Sequence, residues 1–172
     1  MRGARLLLPF LFAVSLVAPT IAGATASPEA MDPGLRAYLL ARYREDPVPG
    51  SDDPGDAPEA AASRIGRSAY YLVYVRGPHI CGASGGCRPM VVRKTGAGYE
   101  PVSILPVAYL PLRLYPDRAG GLPALGFGDR DGRVRKVRFT GQGWDSRYPS
   151  GTVSTAGSSV LLSAHSPFVP LR

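Results

Sequence analysis

The sequence has only two cysteines, two histidines and one tryptophan in 172 residues. A single pair, Cys81 and Cys87, cannot build the multi-bridge framework of a miniature secreted scaffold. Its spacing is also wider than the short gaps of paired zinc ligands and of redox dithiols. Apart from Leu6 to Val17, no apolar run is long enough to cross a bilayer. No internal repeat appears, which excludes solenoids and propellers. Aromatic side chains do not alternate with the bases, so the stacking platform of a single-strand nucleic-acid binder is missing, and no nucleic-acid partner is expected. Nowhere do a nucleophile, a base and an acid gather in a recognisable active-site pattern. The expectation is therefore a protein without cofactor or metal, and without catalytic residues.

What is present begins with an export signal. Arg2 and Arg5 precede the apolar run, Pro9 and Pro19 punctuate it, and Ala24-Thr25-Ala26 supplies the small residues that signal peptidase accepts. Residues 1–26 read as a signal peptide cleaved before Ser27, leaving no transmembrane anchor and a periplasmic or secreted protein. In that oxidising setting Cys81 and Cys87 are expected to pair, closing the glycine-rich loop Gly82-Ala83-Ser84-Gly85-Gly86. A loop so short should stabilise the fold by about 2 kcal/mol in the chain-entropy view, so it serves to hold one strand connection in one shape.

The formal net charge is +7. Acids concentrate in residues 27–62 (Glu29, Asp32, Glu45, Asp46, Asp52, Asp53, Asp56, Glu59), whereas bases, nearly all arginine, dominate residues 63–172. Such an acidic arm and basic body suit either ordinary solvation or an anionic partner in the cell envelope. The densest cations, Arg133, Arg135, Lys136 and Arg138, share one short strand and are the candidate anion-binding residues. Alternation projects them to both faces.

Asp32-Pro33 is a good helix opening, and Leu35, Tyr38, Leu39 and Tyr43 recur at helical spacing. One amphipathic helix over about 33–44 follows, its stripe suited to docking on the main domain. Residues 45–68 are rich in proline, glycine, aspartate and alanine and read as a flexible acidic linker, with the helix adding little to the fold. Residues 69–165 then change to strands: Ala69–Val75, apolar on both faces, followed by Met90–Lys94, Tyr99–Leu105, Leu110–Tyr115, Leu122–Phe127, Arg133–Phe139 and Val160–Leu162. Pro111 argues that its strand lies at an edge. Residues 166–172 read as a tail. The fold class is mainly β, a small antiparallel meander, sandwich or partial barrel with one N-terminal helix.

Three patterns echo known chemistry. Gly82 to Gly86 is formally the G-x-S-x-G elbow of serine hydrolases, and Asp117, Asp129, Asp131 and His165 follow in the matching chain order. An elbow needs a strand feeding the turn and a helix leaving it; here Gly77-Pro78-His79-Ile80 precedes and Arg88-Pro89 leads to another strand. A small envelope serine hydrolase using Ser84 and His165 is thus the alternative to a binding role. His79, Cys81, Cys87 and His165 offer donors for zinc or copper, but oxidation of the thiols is the better account. Gly128-Asp129-Arg130-Asp131-Gly132 echoes a calcium loop, yet two carboxylates around an arginine fit a hairpin turn better.

The strand ending Leu72-Val73-Tyr74, the C-G-x-x-x-G-C loop, the Val91-Val92-Arg93 strand, the Gly98-Tyr99 turn and the Arg138-Phe139-Thr140-Gly141 ending resemble a group of small exported bacterial proteins of unassigned activity. Those proteins carry a C-G-x-G-G-C loop one residue shorter, and often an acidic D-x-N-x-D-G loop before the first strand. The corresponding Ser63-Arg64-Ile65-Gly66-Arg67 has no carboxylate, so a cation there is not expected. The absence of an acid/base or nucleophile cluster points instead to a non-enzymatic cell-envelope domain that binds or modulates a partner, such as an inhibitor of a secreted hydrolase presenting the cysteine loop. The candidate binding loop of such a domain comprises His79, Gly82, Ser84, Gly85 and Gly86.

Overall fold

Asp32 starts the only helix among the described residues. Its Oδ1 accepts from Gly34 N–H at 2.8 Å and from Leu35 N–H at 3.2 Å, satisfying two donors that helix geometry leaves open. Helix α1 then runs Pro33–Glu45. The computed structural model describes residues 31–45, 57–78, 80–147, 149 and 151–172. The expected signal peptide, residues 46–56 of the expected linker, and His79 lie outside the described residues.

Nine strands follow among the described residues: β1 (Glu59–Arg64), β2 (Tyr70–Arg76), β3 (Met90–Thr95), β4 (Gly98–Ile104), β5 (Tyr109–Ala119), β6 (Leu122–Gly128), β7 (Val134–Val137), β8 (Ser159–Leu162) and β9 (Val169–Pro170). They form two antiparallel sheets, ordered β4-β3-β2-β1-β9 and β7-β6-β5-β8. Neither sheet closes into a barrel. Between them lies a core of Leu72, Tyr74 and Val91 from the first sheet and Leu112, Leu125 and Phe127 from the second, sealed by Trp144. Trp144 donates its indole N–H to Pro123 O at 3.2 Å, so its polar atom is satisfied inside.

The opposite face of the five-stranded sheet is covered by α1. Leu35 and Leu39, one turn apart, are fully buried against Val73, Val75, Met90 and Val92. This explains why β2 is apolar on both faces: Leu72 and Tyr74 enter the inter-sheet core, and Val73 and Val75 meet the helix. Lys94 on β3 pairs with Asp32 at 2.9 Å, tying the helix start to the sheet. The helix is thus integral to the fold, contrary to the expectation that it adds little.

Two boundaries differ from the sequence reading. The linker expected over 45–68 contains β1, which pairs with β2 along its whole length and with β9 on its other side. Its apolar residues are alanines, too small to register as a strand pattern, yet Ala60 and Ala61 are buried on opposite faces. The expected tail contains β9, followed by Leu171, which is buried beneath the helix. Leu171 N–H donates to Pro58 O at 2.8 Å.

Pro111 does not mark an edge. β5 lies between β6 and β8, and the proline falls where the β5–β6 register skips from Tyr109↔Gly128 to Arg113↔Gly126. An irregularity removes the need for a backbone donor there. The real edges of the five-stranded sheet are β4, which contains Pro101, and β9, which ends in Pro170.

On the outer face of the four-stranded sheet Tyr115 lies across Gly126, where an added Cβ would collide with its ring. Its hydroxyl donates to Ser154 O at 2.9 Å, and the Lys136 ammonium sits 5.0 Å from the ring centroid.

Candidate functional site

Cys81 and Cys87 form a disulfide across the β2–β3 connection, with their Cα atoms 4.3 Å apart. Backbone bonds shape the enclosed loop: Gly82 N–H donates to Gly86 O at 3.1 Å, and Gly85 N–H to Gly82 O at 2.8 Å. Gly85 adopts a φ of 79°, which a side chain would oppose. At its far end the loop is nailed to the core. Buried Cys87 makes an antiparallel bridge to Ala108, donating to its carbonyl at 3.2 Å and accepting from its N–H at 2.8 Å.

The ring of Tyr109 supports the loop from below. Its hydroxyl donates to Ser84 O at 3.0 Å. Gly86 is required by this contact, because a Cβ there would stand 2.6 Å from Val107 and 2.8 Å from the Tyr109 ring. The result is a braced loop whose residues Gly82, Ala83, Ser84 and Gly85 are exposed, flanked by Val107, itself 40 % exposed. Of the expected loop residues, Gly82, Ser84 and Gly85 therefore face solvent, Gly86 is buried as a spacer, and His79 is outside the described residues. Tyr109 and Val107 were not identifiable from sequence, since they come from more than twenty residues downstream and no local signal links them to the cysteines.

The elbow context for Ser84 is absent. A turn precedes it, and the chain leaves through Cys87 into β3 rather than into a helix. His165 sits exposed in a turn where its backbone N–H donates to Ser163 Oγ at 3.2 Å, and among the described residues no hydrogen bond joins it to Ser84. Oxidation consumes both thiolates of the conceivable metal set. Among the described residues no three His, Cys, Asp or Glu side chains gather as metal ligands.

The acidic turn after β6 is a hairpin device. Asp129 Oδ1 accepts from Asp131 N–H at 3.0 Å and Arg133 N–H at 2.8 Å, and Oδ2 pairs with Arg135 at 2.9 Å. Burial favours the neutral acid, but these bonds outweigh it and hold the Asp129 carboxyl below its ordinary range.

The same hairpin changes the meaning of the β7 cations. Arg135 is largely buried against Asp129. Lys136 and Arg138 both reach Asp117 on β5, at 3.1 and 3.4 Å. Desolvation opposes ionisation of Asp117, and the Lys136 and Arg138 contacts more than compensate, lowering its pKa. Arg133 is exposed at the start of the strand. The four cations are therefore not one free surface: three are partnered internally.

Compared with known proteins, the chain matches no family model, no curated protein and no solved structure.

Proposed function

We propose that the protein is a non-enzymatic exported β-domain that binds or modulates a protein of the cell envelope, using the disulfide loop as its recognition element. The carrying observation is the preorganisation of that loop. Four exposed residues are held by a covalent bridge, backbone hydrogen bonds, the Cys87–Ala108 bridge and the Tyr109 hydroxyl. A segment already fixed in its bound shape loses little entropy on association, which is the economy that rigid inhibitor loops exploit. Exposed Val107 adds apolar surface beside the tip. A disulfide suits an oxidising compartment, which supports a periplasmic or extracellular setting and, with the signal-like N-terminus, the resemblance to small exported bacterial proteins.

The test is retention of a partner by the immobilised mature protein from native envelope extract, compared with an Ala83→Asp/Ser84→Arg variant. Both positions are exposed, so the variant should fold with stability within about 0.5 kcal/mol of wild type. The partner should be retained by wild type and lost by the variant. Equal retention would move the contact off the loop. Fluorophosphonate labelling supplies the catalytic check: stoichiometric modification abolished by Ser84→Ala would overturn the non-enzymatic reading.

A further inference from the structure

After β7 the chain makes a short return. Phe139 bridges to Trp144, and Asp145 N–H donates to Arg138 O at 3.2 Å. It is next tied to the strand farther along, where Arg135 donates to Pro149 O at 3.5 Å and Val153 N–H to Val134 O at 2.9 Å. Between these anchor points lies an open groove of about 430 Å³, lined by Lys136, Val137, Arg138, Thr140, Asp145, Arg147 and Pro149.

Three cations line this groove, each paired with a carboxylate, and two of those pairs are exposed. Arg147 grips Asp145 only two residues away, through bonds of 2.9 to 3.2 Å, with its side chain 88 % exposed. Arg138 touches Asp117 at 3.4 Å and is 68 % exposed. Exposed pairs of this kind are worth little, because water and salt compete for both partners. Lys136 differs, being mostly covered and fixed over the Tyr115 ring. The groove thus offers one fixed ammonium and two swinging guanidinium groups against two carboxylates, an excess of positive charge.

We propose that this groove binds a phosphate group, with Lys136 as fixed contact and Arg138 and Arg147 exchanging their carboxylates for phosphate oxygens. A free carboxylate ligand would meet the same chemistry that Asp117 and Asp145 already supply at high effective concentration. A phosphate presents more acceptor oxygens, so it engages both guanidinium forks and the ammonium together, which neither aspartate does. The space exceeds the phosphate itself and accommodates the attached group along Pro149, since the Val137 side chain is turned into the inter-sheet core. Phosphate of this kind comes from a soluble ester or from a lipid headgroup. The inference does not depend on the disulfide loop.

The experiment titrates the mature protein with inorganic phosphate at ionic strength matched by chloride, following backbone amide shifts by NMR. A parallel arm measures cosedimentation with vesicles of phosphatidylglycerol against phosphatidylcholine. Saturable shifts confined to residues 136–147 are expected, weakened about tenfold or more by Arg138→Gln/Arg147→Gln and unchanged by Arg130→Gln in the β6–β7 turn. The two arginines are exposed, so melting temperature should hold and confirm folding. Phosphatidylglycerol binding that needs both arginines and is competed by phosphate assigns the lipid source; phosphate binding without vesicle binding assigns a soluble one. Shifts no larger than those from chloride, or identical in the double variant, would overturn the proposal.

Discussion

Truncating Leu39 to alanine tests how the helix contributes to stability. Leu39 and Leu35 are both fully buried, one turn apart, against the β2 and β3 side chains of the five-stranded sheet. Alanine is the better helix former, so the substitution leaves intrinsic helicity intact and isolates packing. Removing a fully buried leucine side chain from a core with no open edge at that point should cost about 2–5 kcal/mol. At about 4 °C per kcal/mol for a domain of this size, the melting temperature should fall by roughly 8–20 °C. Circular dichroism on the protein, with urea unfolding in parallel, reads this directly. Exposed Ala37→Gln on the same helix is the control and should shift stability by less than about 0.5 kcal/mol. If Leu39→Ala melted with wild type, the helix would be a loosely docked appendage and the reasoning would fail. A biphasic urea curve would also refute it, because the helix would then unfold separately.

The remaining expectations concern the disulfide, the second sheet and acid stability. The unreduced, unfolded protein should show no free thiol, and Cys81→Ser/Cys87→Ser should lose about 2 kcal/mol in urea unfolding; detection of free thiol before reduction would contradict the bridge. Gly126→Ala forces a methyl group into the Tyr115 ring, so it should cost about 1–3 kcal/mol, and a neutral result would mean that the ring moves aside freely. The Lys94 hydrogen bond to Asp32 holds that carboxyl at about 2, against an ordinary 3.8. Because the folded pKa is the lower one, its contribution is present above about pH 4 and is lost as pH falls toward 2. Asp32→Asn should therefore flatten the stability decline over that window, and an unchanged acid profile would separate the pair from stability.

Most of the strand content was legible because short apolar runs stand between glycine, proline and aspartate punctuation, with aromatic and β-branched residues dense in Tyr70–Arg76 and smaller apolar residues in Leu122–Gly128. Asp32-Pro33 announced the helix for a local reason, the side chain that caps it. What escaped reading depends on partners distant in sequence. β1 is a run of alanines whose strand state comes from pairing on both sides, and β9 is two residues long and exists only against β1. Pro111 misled because proline's missing donor is tolerated wherever a ladder skips, at an edge or inside. At the candidate sites, the disulfide followed from the cysteine pair, whereas the role of Tyr109 required the fold. Likewise the basic strand looked free because Asp117 and Asp129, which neutralise it, lie on or beside other strands.

Proline at both margins of the five-stranded sheet has a consequence for how this molecule meets others. An unprotected sheet edge is a template for a further strand, and hence for fibre growth or indiscriminate pairing. Pro101 in β4 and Pro170 in β9 each withhold a donor from such a ladder, and β9 is too short to offer a long register. The five-stranded sheet can therefore keep a strongly apolar interior without its own margins recruiting further strands. Any contact this sheet makes is thus left to its faces and to the loops between its strands, not to the pairing of its margins.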